Sequence, residues 1–202
     1  MANTKVNEPE LLNQKLMQPQ KRSLMWLGYA VFIWSLIYVI PHLYWALGGT
    51  IGISMFKASI SELSYWKMAN LIASIFLAAV AFLGFALIYL KRPLVIRRLL
   101  FAITLVGCLL STSHGVFGII YRIFQVAGVV EVDSDPFNSS KHAYVLWDLF
   151  LIEPWITIEG ILLGIVGLFC LNDLKKKKVW LILYVVGIMV GLITAVLGSR
   201  FA

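Results

Sequence analysis

The sequence predicts an all-α polytopic membrane protein, a bundle of five transmembrane helices with its N-terminus cytoplasmic and its C-terminus outside. Composition is the first of three observations behind this. The 202-residue chain is 60% hydrophobic and 13% charged, with a mean hydropathy of +0.88, far from the range of a soluble domain. The second is the grouping of its apolar residues into runs at about 24–47, 68–90, 99–126, 144–171 and 179–199. Each run is near or above the roughly 20 residues that cross about 30 Å of hydrocarbon. The third is charge. Lys5, Lys15, Lys21, Arg22, Lys91, Arg92, Arg97, Arg98 and Lys175 to Lys178 put twelve cations on one side, against five, Lys57, Lys67, Arg122, Lys141 and Arg200, on the other. The positive-inside rule then places the N-terminus in the cytoplasm. The same clustering between spans explains the net charge of +7 without a nucleic-acid partner.

Taken in order, residues 1–23 form a polar cytoplasmic segment with a short surface helix expected over Glu10 to Met17, and residues 24–202 form one transmembrane domain. The run at 24–47 exceeds the roughly 7–15-residue core of a signal peptide and lacks a small-x-small cleavage site, so it reads as a retained first helix. Between the first two spans, Ser59-Ile-Ser-Glu62 has the spacing of a capping box and marks a helix start ahead of the second span. The loop from Gly128 to Lys141 carries Glu131, Asp133 and Asp135 without the spacing of a calcium loop and reads as a solvated acidic loop. Asn138-Ser-Ser140 within it matches a glycosylation acceptor. Gly160-x-x-x-Gly164 with Gly167, and Gly187-x-x-x-Gly191, are close-packing signals on the fourth and fifth spans.

Polar residues inside these spans are the candidates for function, because a charge at the bilayer centre costs about 3 kcal/mol unless it is paired, neutralised or hydrated. On the first helix Trp34, Tyr38, His42 and Trp45 share a face. On the third, Ser111, His114, Gly118, Tyr121, Arg122 and Gln125 form one polar stripe. On the fourth, Asp148, Trp155 and Glu159 have the i, i+7, i+11 spacing of a single α-helical face, while Glu153, just before Pro154, points elsewhere. By this topology the intramembrane charges all fall in the outer half of the bilayer. Two readings are open. In one, Arg122 and Arg200 pair with Asp148 and Glu153 and lock the third, fourth and fifth helices together. In the other, Trp45, Trp147 and Trp155 wall an outward-facing cavity in which His114 and Glu159 bind a ligand or exchange protons. The ligand-binding candidates are His42, Trp45, His114, Tyr121, Arg122, Trp147, Asp148, Glu153, Trp155 and Glu159.

No metal or cofactor is expected. His42, His114 and His142 have no local ligand spacing, and Cys108 and Cys170 sit in apolar helices without a CxxC pairing. Nucleotide loops and the motifs of zinc proteases and serine hydrolases are absent.

The segments Pro41-His-Leu-Tyr-Trp-Ala-Leu-Gly-Gly49 and Trp147-Asp-Leu-Phe-Leu-Ile-Glu-Pro-Trp155 resemble those of a family of small bacterial membrane proteins of unknown function. In that family H-x-Y-W-A-x-G-G and W-D-x-F-x-x-E-P-W segments recur on the first and fourth helices. The resemblance implies a bacterial inner-membrane protein and carries over to His42, Trp45, Gly48, Asp148, Glu153, Pro154 and Trp155; at the position of Glu159 the family often has glycine. A looser likeness, in helix count and in Trp, His and carboxylate content, is to the sterol-isomerase-like membrane fold. The expected activity is binding or moving a small molecule, ion or proton through the polar cavity. The alternatives are a lipid- or sterol-modifying enzyme using a histidine and Glu159 as acid and base, and a structural membrane subunit. The expected partners are the lipid bilayer and a small-molecule or lipid ligand, and five helices leave room for a homodimer.

Overall fold

The computed structural model describes residues 8–51, 60–89, 93–130 and 145–198. Among them the chain forms five long helices and no strand: α1 (Glu8–Ala46), α2 (Ile60–Tyr89), α3 (Leu94–Val126), α4 (Glu153–Phe169) and α5 (Leu174–Gly198). A helical lead-in from Val145 and a wide π turn over Asp148–Ile152 feed α4. Four helical stretches are long and apolar enough to cross a membrane: Ser23–Ala46, Ser64–Tyr89, Leu94–Val126 and Val145–Phe169. The protein is therefore helical and suited to several membrane passes. The fifth helix, α5, opens on Lys175 to Lys178 and continues as an apolar run.

One helix boundary differs from expectation and another follows it. The polar segment before the first span is continuous with it, so α1 runs unbroken from Glu8 through Pro19. Residues 10–22 contain no glycine and are rich in Leu, Gln and Lys, and this propensity outweighs the one hydrogen bond that Pro19 removes. Helix α2 begins at Ile60, directly after the Ser59 of the capping box, the helix start expected ahead of the second span; Ser59 itself, the acidic residues Glu131, Asp133 and Asp135, Asn138, His142 and Arg200 lie outside the described residues.

Helices α1 and α3 end in the same way. Gly48 (φ 95°) sends its N–H to Trp45 O and Gly49 to Tyr44 O, at 3.0 and 2.9 Å. Gly128 (φ 71°) bonds Gln125 O and Val129 bonds Phe124 O, at 3.2 and 2.9 Å. Each is a Schellman cap, which needs a residue at positive φ and so selects glycine. After the first, the chain folds back on its own aromatic residues: Thr50 and Ile51 N–H groups donate to Tyr44 Oη, and Trp45 Nε1 donates to Ile51 O at 2.8 Å.

The helices assemble as two hairpins, α1 with α2 and α3 with α4. Helix α5 lies along α3, α1 meets α4, and α2 and α3 touch only sparingly. In hydrocarbon the hydrophobic effect does not drive helix pairing, so close backbone approach through small residues must. The α3–α4 seam is built this way. A Cβ at Gly115 would strike Thr157 Oγ1 and Glu153 O, and one at Gly160 would strike Thr112 Oγ1. The other glycines singled out in the sequence also pack: Gly164 and Gly167 lie against Tyr184 and Trp180 of α5, and Gly187 and Gly191 lie against Leu109 and Ser113 of α3. Val31, Val80, Cys108, Leu163, Val166 and Trp180 form the buried apolar core. The Trp180 indole donates to Gly164 O at 3.1 Å, and Cys108 and Cys170 are free thiols.

Candidate functional site: a polar cavity among four helices

Geometry at the start of α4 decides which polar side chains meet. Pro154 has no N–H, and its ring crowds the carbonyl four residues back, that of Phe150, which disfavours a regular helix there. The chain widens by one residue instead, and the Glu153 N–H reaches Asp148 O, five residues back. This overturns the single face expected for Asp148, Trp155 and Glu159. The extra residue rotates the helix ahead of Pro154 by about 100° relative to the helix beyond it. Asp148 and Glu153 now both face α3, and Trp155 and Glu159 face α1.

Toward α3, Arg122 Nε donates to Asp148 Oδ2 at 2.5 Å and its Nη1 to Gln125 Oε1 at 2.7 Å, while the guanidinium carbon stands 5.7 Å from the Tyr121 ring centre. Both charges are largely buried, with side chains 16% and 6% exposed, so this is a desolvated, hydrogen-bonded ion pair. One turn along, the Glu153 carboxylate lies on Gly118 of α3, where a Cβ would collide with it. Its Oε2 has no hydrogen-bond partner among the described residues and stands 4.0 Å from His114 Nε2.

Toward α1, Glu159 is 1% exposed and accepts the Ser35 hydroxyl on Oε1 at 2.6 Å; Ser35 is fully buried. Trp155 stacks on Trp34 with ring centres 4.0 Å apart and on Tyr38 at 5.6 Å, and Trp34 Nε1 donates to Trp155 O at 3.0 Å. An aromatic ladder continues along α1, with Tyr38 edge-on to His42 at 4.8 Å and His42 edge-on to Trp45 at 5.9 Å. The His42 Nδ1 is 2.7 Å from Asn70 Oδ1 on α2, whose Nδ2 in turn donates to Trp66 O at 2.8 Å.

Between these two sets lies a cavity of about 480 Å³ bounded by α1, α2, α3 and the π turn with α4. Its wall is mainly apolar, with Phe76, Leu77, Leu110 and Ile156 among its residues, and its polar groups come from Tyr38, His42, Ser111, His114 and Glu159. That is the pattern of a small-molecule site: apolar lining with a few convergent polar groups. Among the described residues no group of three or more His, Cys, Asp or Glu is placed to hold a metal.

Of the ten sequence candidates, His42, His114 and Glu159 line this cavity. Trp45 and Trp155 support it from behind, against His42 and Tyr38. Arg122, Asp148 and Tyr121 form the ion-pair cluster, Glu153 sits behind His114, and Trp147 is half-exposed and does not border the cavity. Sequence reasoning missed Ser35 and Asn70 as partners of Glu159 and His42. Asn70 and Ser74, an i, i+4 polar pair inside an apolar span, were the available signal for the second.

Four membrane-capable helices closed around a polar cavity define a multi-pass α-helical membrane protein. Residues 35–163, more than half of the chain, match the family described as protein of unknown function (DUF3995), and the chain belongs to that family. The matched stretch contains both segments on which the resemblance rests and both members of the Ser35–Glu159 pair. No curated protein and no solved structure matches the chain.

Proposed function

We propose that the protein is a five-span membrane protein of the bacterial inner membrane, N-terminus cytoplasmic and C-terminus outside, that binds a small molecule in the cavity among α1, α2, α3 and α4. The observation that carries this reading is the convergence of His42, His114 and Glu159, from three different helices, on one apolar-walled space. Polar groups at that depth are costly, and a purely structural role would consume them in pairs, as Arg122 consumes Asp148. Here the imidazole of His114 stays 64% exposed and both histidines front the cavity. With twelve basic residues on the N-terminal side, the cavity lies in the outer half of the bilayer. The Arg122–Asp148 pair is the lock of the bundle, and His42, His114 and Glu159 are the binding groups.

The test is mass spectrometry of small molecules and lipids retained by gently purified protein, compared with His42→Gln and Glu159→Gln. A specific species held by the wild type and lost from both variants, at unchanged melting temperature, is the expected result. Equal retention by all three would overturn the assignment.

A further inference from the structure

The polar cavity has an apolar neighbour. A second cavity, of about 570 Å³, runs between α2 and α3 and shares Phe76 and Leu110 with the first. Among the described residues its lining is apolar and comes from those two helices, from Phe76 to Ala86 on one side and Leu100 to Leu110 on the other. The cleft exists because α2 and α3 belong to different hairpins and touch only sparingly. Its rim residues Phe82, Ile103, Val106 and Leu110 are exposed, so in a bilayer the cleft opens to lipid. Ten residues of α3 at 1.5 Å each make it about 15 Å long, the reach of a medium alkyl chain.

Chemistry at the polar end restricts the head group. Asn70 Nδ2 donates to Trp66 O, which turns Oδ1 to His42; Oδ1 only accepts, so His42 Nδ1 carries the hydrogen. A neutral imidazole then has Nε2 as an acceptor. Glu159 takes the Ser35 hydroxyl on Oε1 and is an acceptor again on Oε2. Among the described residues no Lys or Arg lines either cavity, and Arg122 is engaged by Asp148 and Gln125. A negatively charged head would lie beside Glu159 in a low-dielectric space with no cation among the described lining residues to offset it.

We infer that the occupant is a single-chain amphiphile whose hydroxyl or amine head donates hydrogen bonds among His42, His114 and Glu159 while its chain lies in the α2–α3 cleft. This rests on the binding role proposed for the polar cavity and names the class of its ligand. The ligand enters sideways from the bilayer, between α2 and α3, rather than from water.

The experiment uses full-length protein in phosphatidylcholine nanodiscs and three probes with the same diazirine-bearing alkyl chain: an alcohol, an amine and a carboxylic acid. The alcohol and amine should label peptides spanning Ala79–Ala86 and Leu100–Leu110, and the acid should label them about tenfold less, the effect of an unpaired polar contact in a buried site. Ala79→Phe and Ala102→Phe fill the cleft from exposed positions and should abolish this labelling without changing the melting temperature. Labelling spread equally over the exposed α5 residues Val185 and Met189 would overturn the inference, as would equal labelling by the acid. If the two Phe variants keep the species that Glu159→Gln loses, the cleft falls and the polar cavity stands. If Glu159→Gln keeps it as well, both fall.

Discussion

Arg122 and Asp148 illustrate how differently neighbouring charges behave in one membrane-embedded cluster. Their bond is closed and buried, so truncating either leaves an uncompensated charge. Arg122→Met is expected to cost about 3–5 kcal/mol, and the pair Arg122→Met with Asp148→Leu to recover most of it, read from melting temperatures in detergent. Gly118→Ala is expected to destabilise by about 1–3 kcal/mol, because its methyl must displace the Glu153 carboxylate from the seam. An unchanged melting temperature for Gly118→Ala would mean that Glu153 is free to swing away. At this scale the sequence was informative about the expensive residues and silent about their partners. Charges and imidazoles in an apolar run stand out by their transfer cost, whereas Ser35 and Asn70 are cheap enough to occur in any span. Trp147, expected in the cavity wall, is instead half-exposed, as tryptophans at membrane interfaces commonly are.

Among the elements, the π turn ahead of α4 matters most, and it was only half legible. Pro154 signalled a bend, but a helical wheel at 100° per residue assumes a regular turn, and the bend took the form of one inserted residue. That residue carries Asp148 to Arg122 and leaves Trp155 and Glu159 on the other side. Pro154→Ala restores the missing N–H and allows a regular helix, which would turn Asp148 away from Arg122. The expected loss in stability is close to that of Asp148→Asn, and the double variant should cost little more than either single one. Strict additivity in that cycle would show that packing, not proline, holds the turn open. The glycine caps of α1 and α3 were legible only in part. Gly48 and Gly128 mark turns, yet only backbone geometry shows both as the same 6→1, 5→2 closure.

For the whole molecule, the run lengths were enough to predict an all-helical chain with several membrane-length helices, because they reflect the thickness of a bilayer rather than side-chain detail. The pairing of helices into two hairpins was not readable, since small residues that allow close approach recur on every span. Orientation has a direct check in a background with Cys108→Ala and Cys170→Ala. Thr50→Cys should react with an impermeant maleimide on intact cells, and Lys176→Cys only after the membrane is opened. The reverse pattern would invert the proposed topology. The family match from 35 to 163 covers the cavity and leaves α5 outside it, so substitutions on the lipid-facing side of α5, such as Val185→Leu, are expected to leave ligand retention unchanged.

The two hairpins meet through few side chains, and one of those contacts is optical. Trp34 of the first hairpin and Trp155 of the second lie 4.0 Å apart and within 20° of parallel. Indoles at that spacing share their excited state, so the docked bundle should give a paired near-ultraviolet circular dichroism band that neither Trp34→Phe nor Trp155→Phe retains. Insertion and assembly of the protein can therefore be timed without any label, from a signal that arises only once both halves of the chain have found each other.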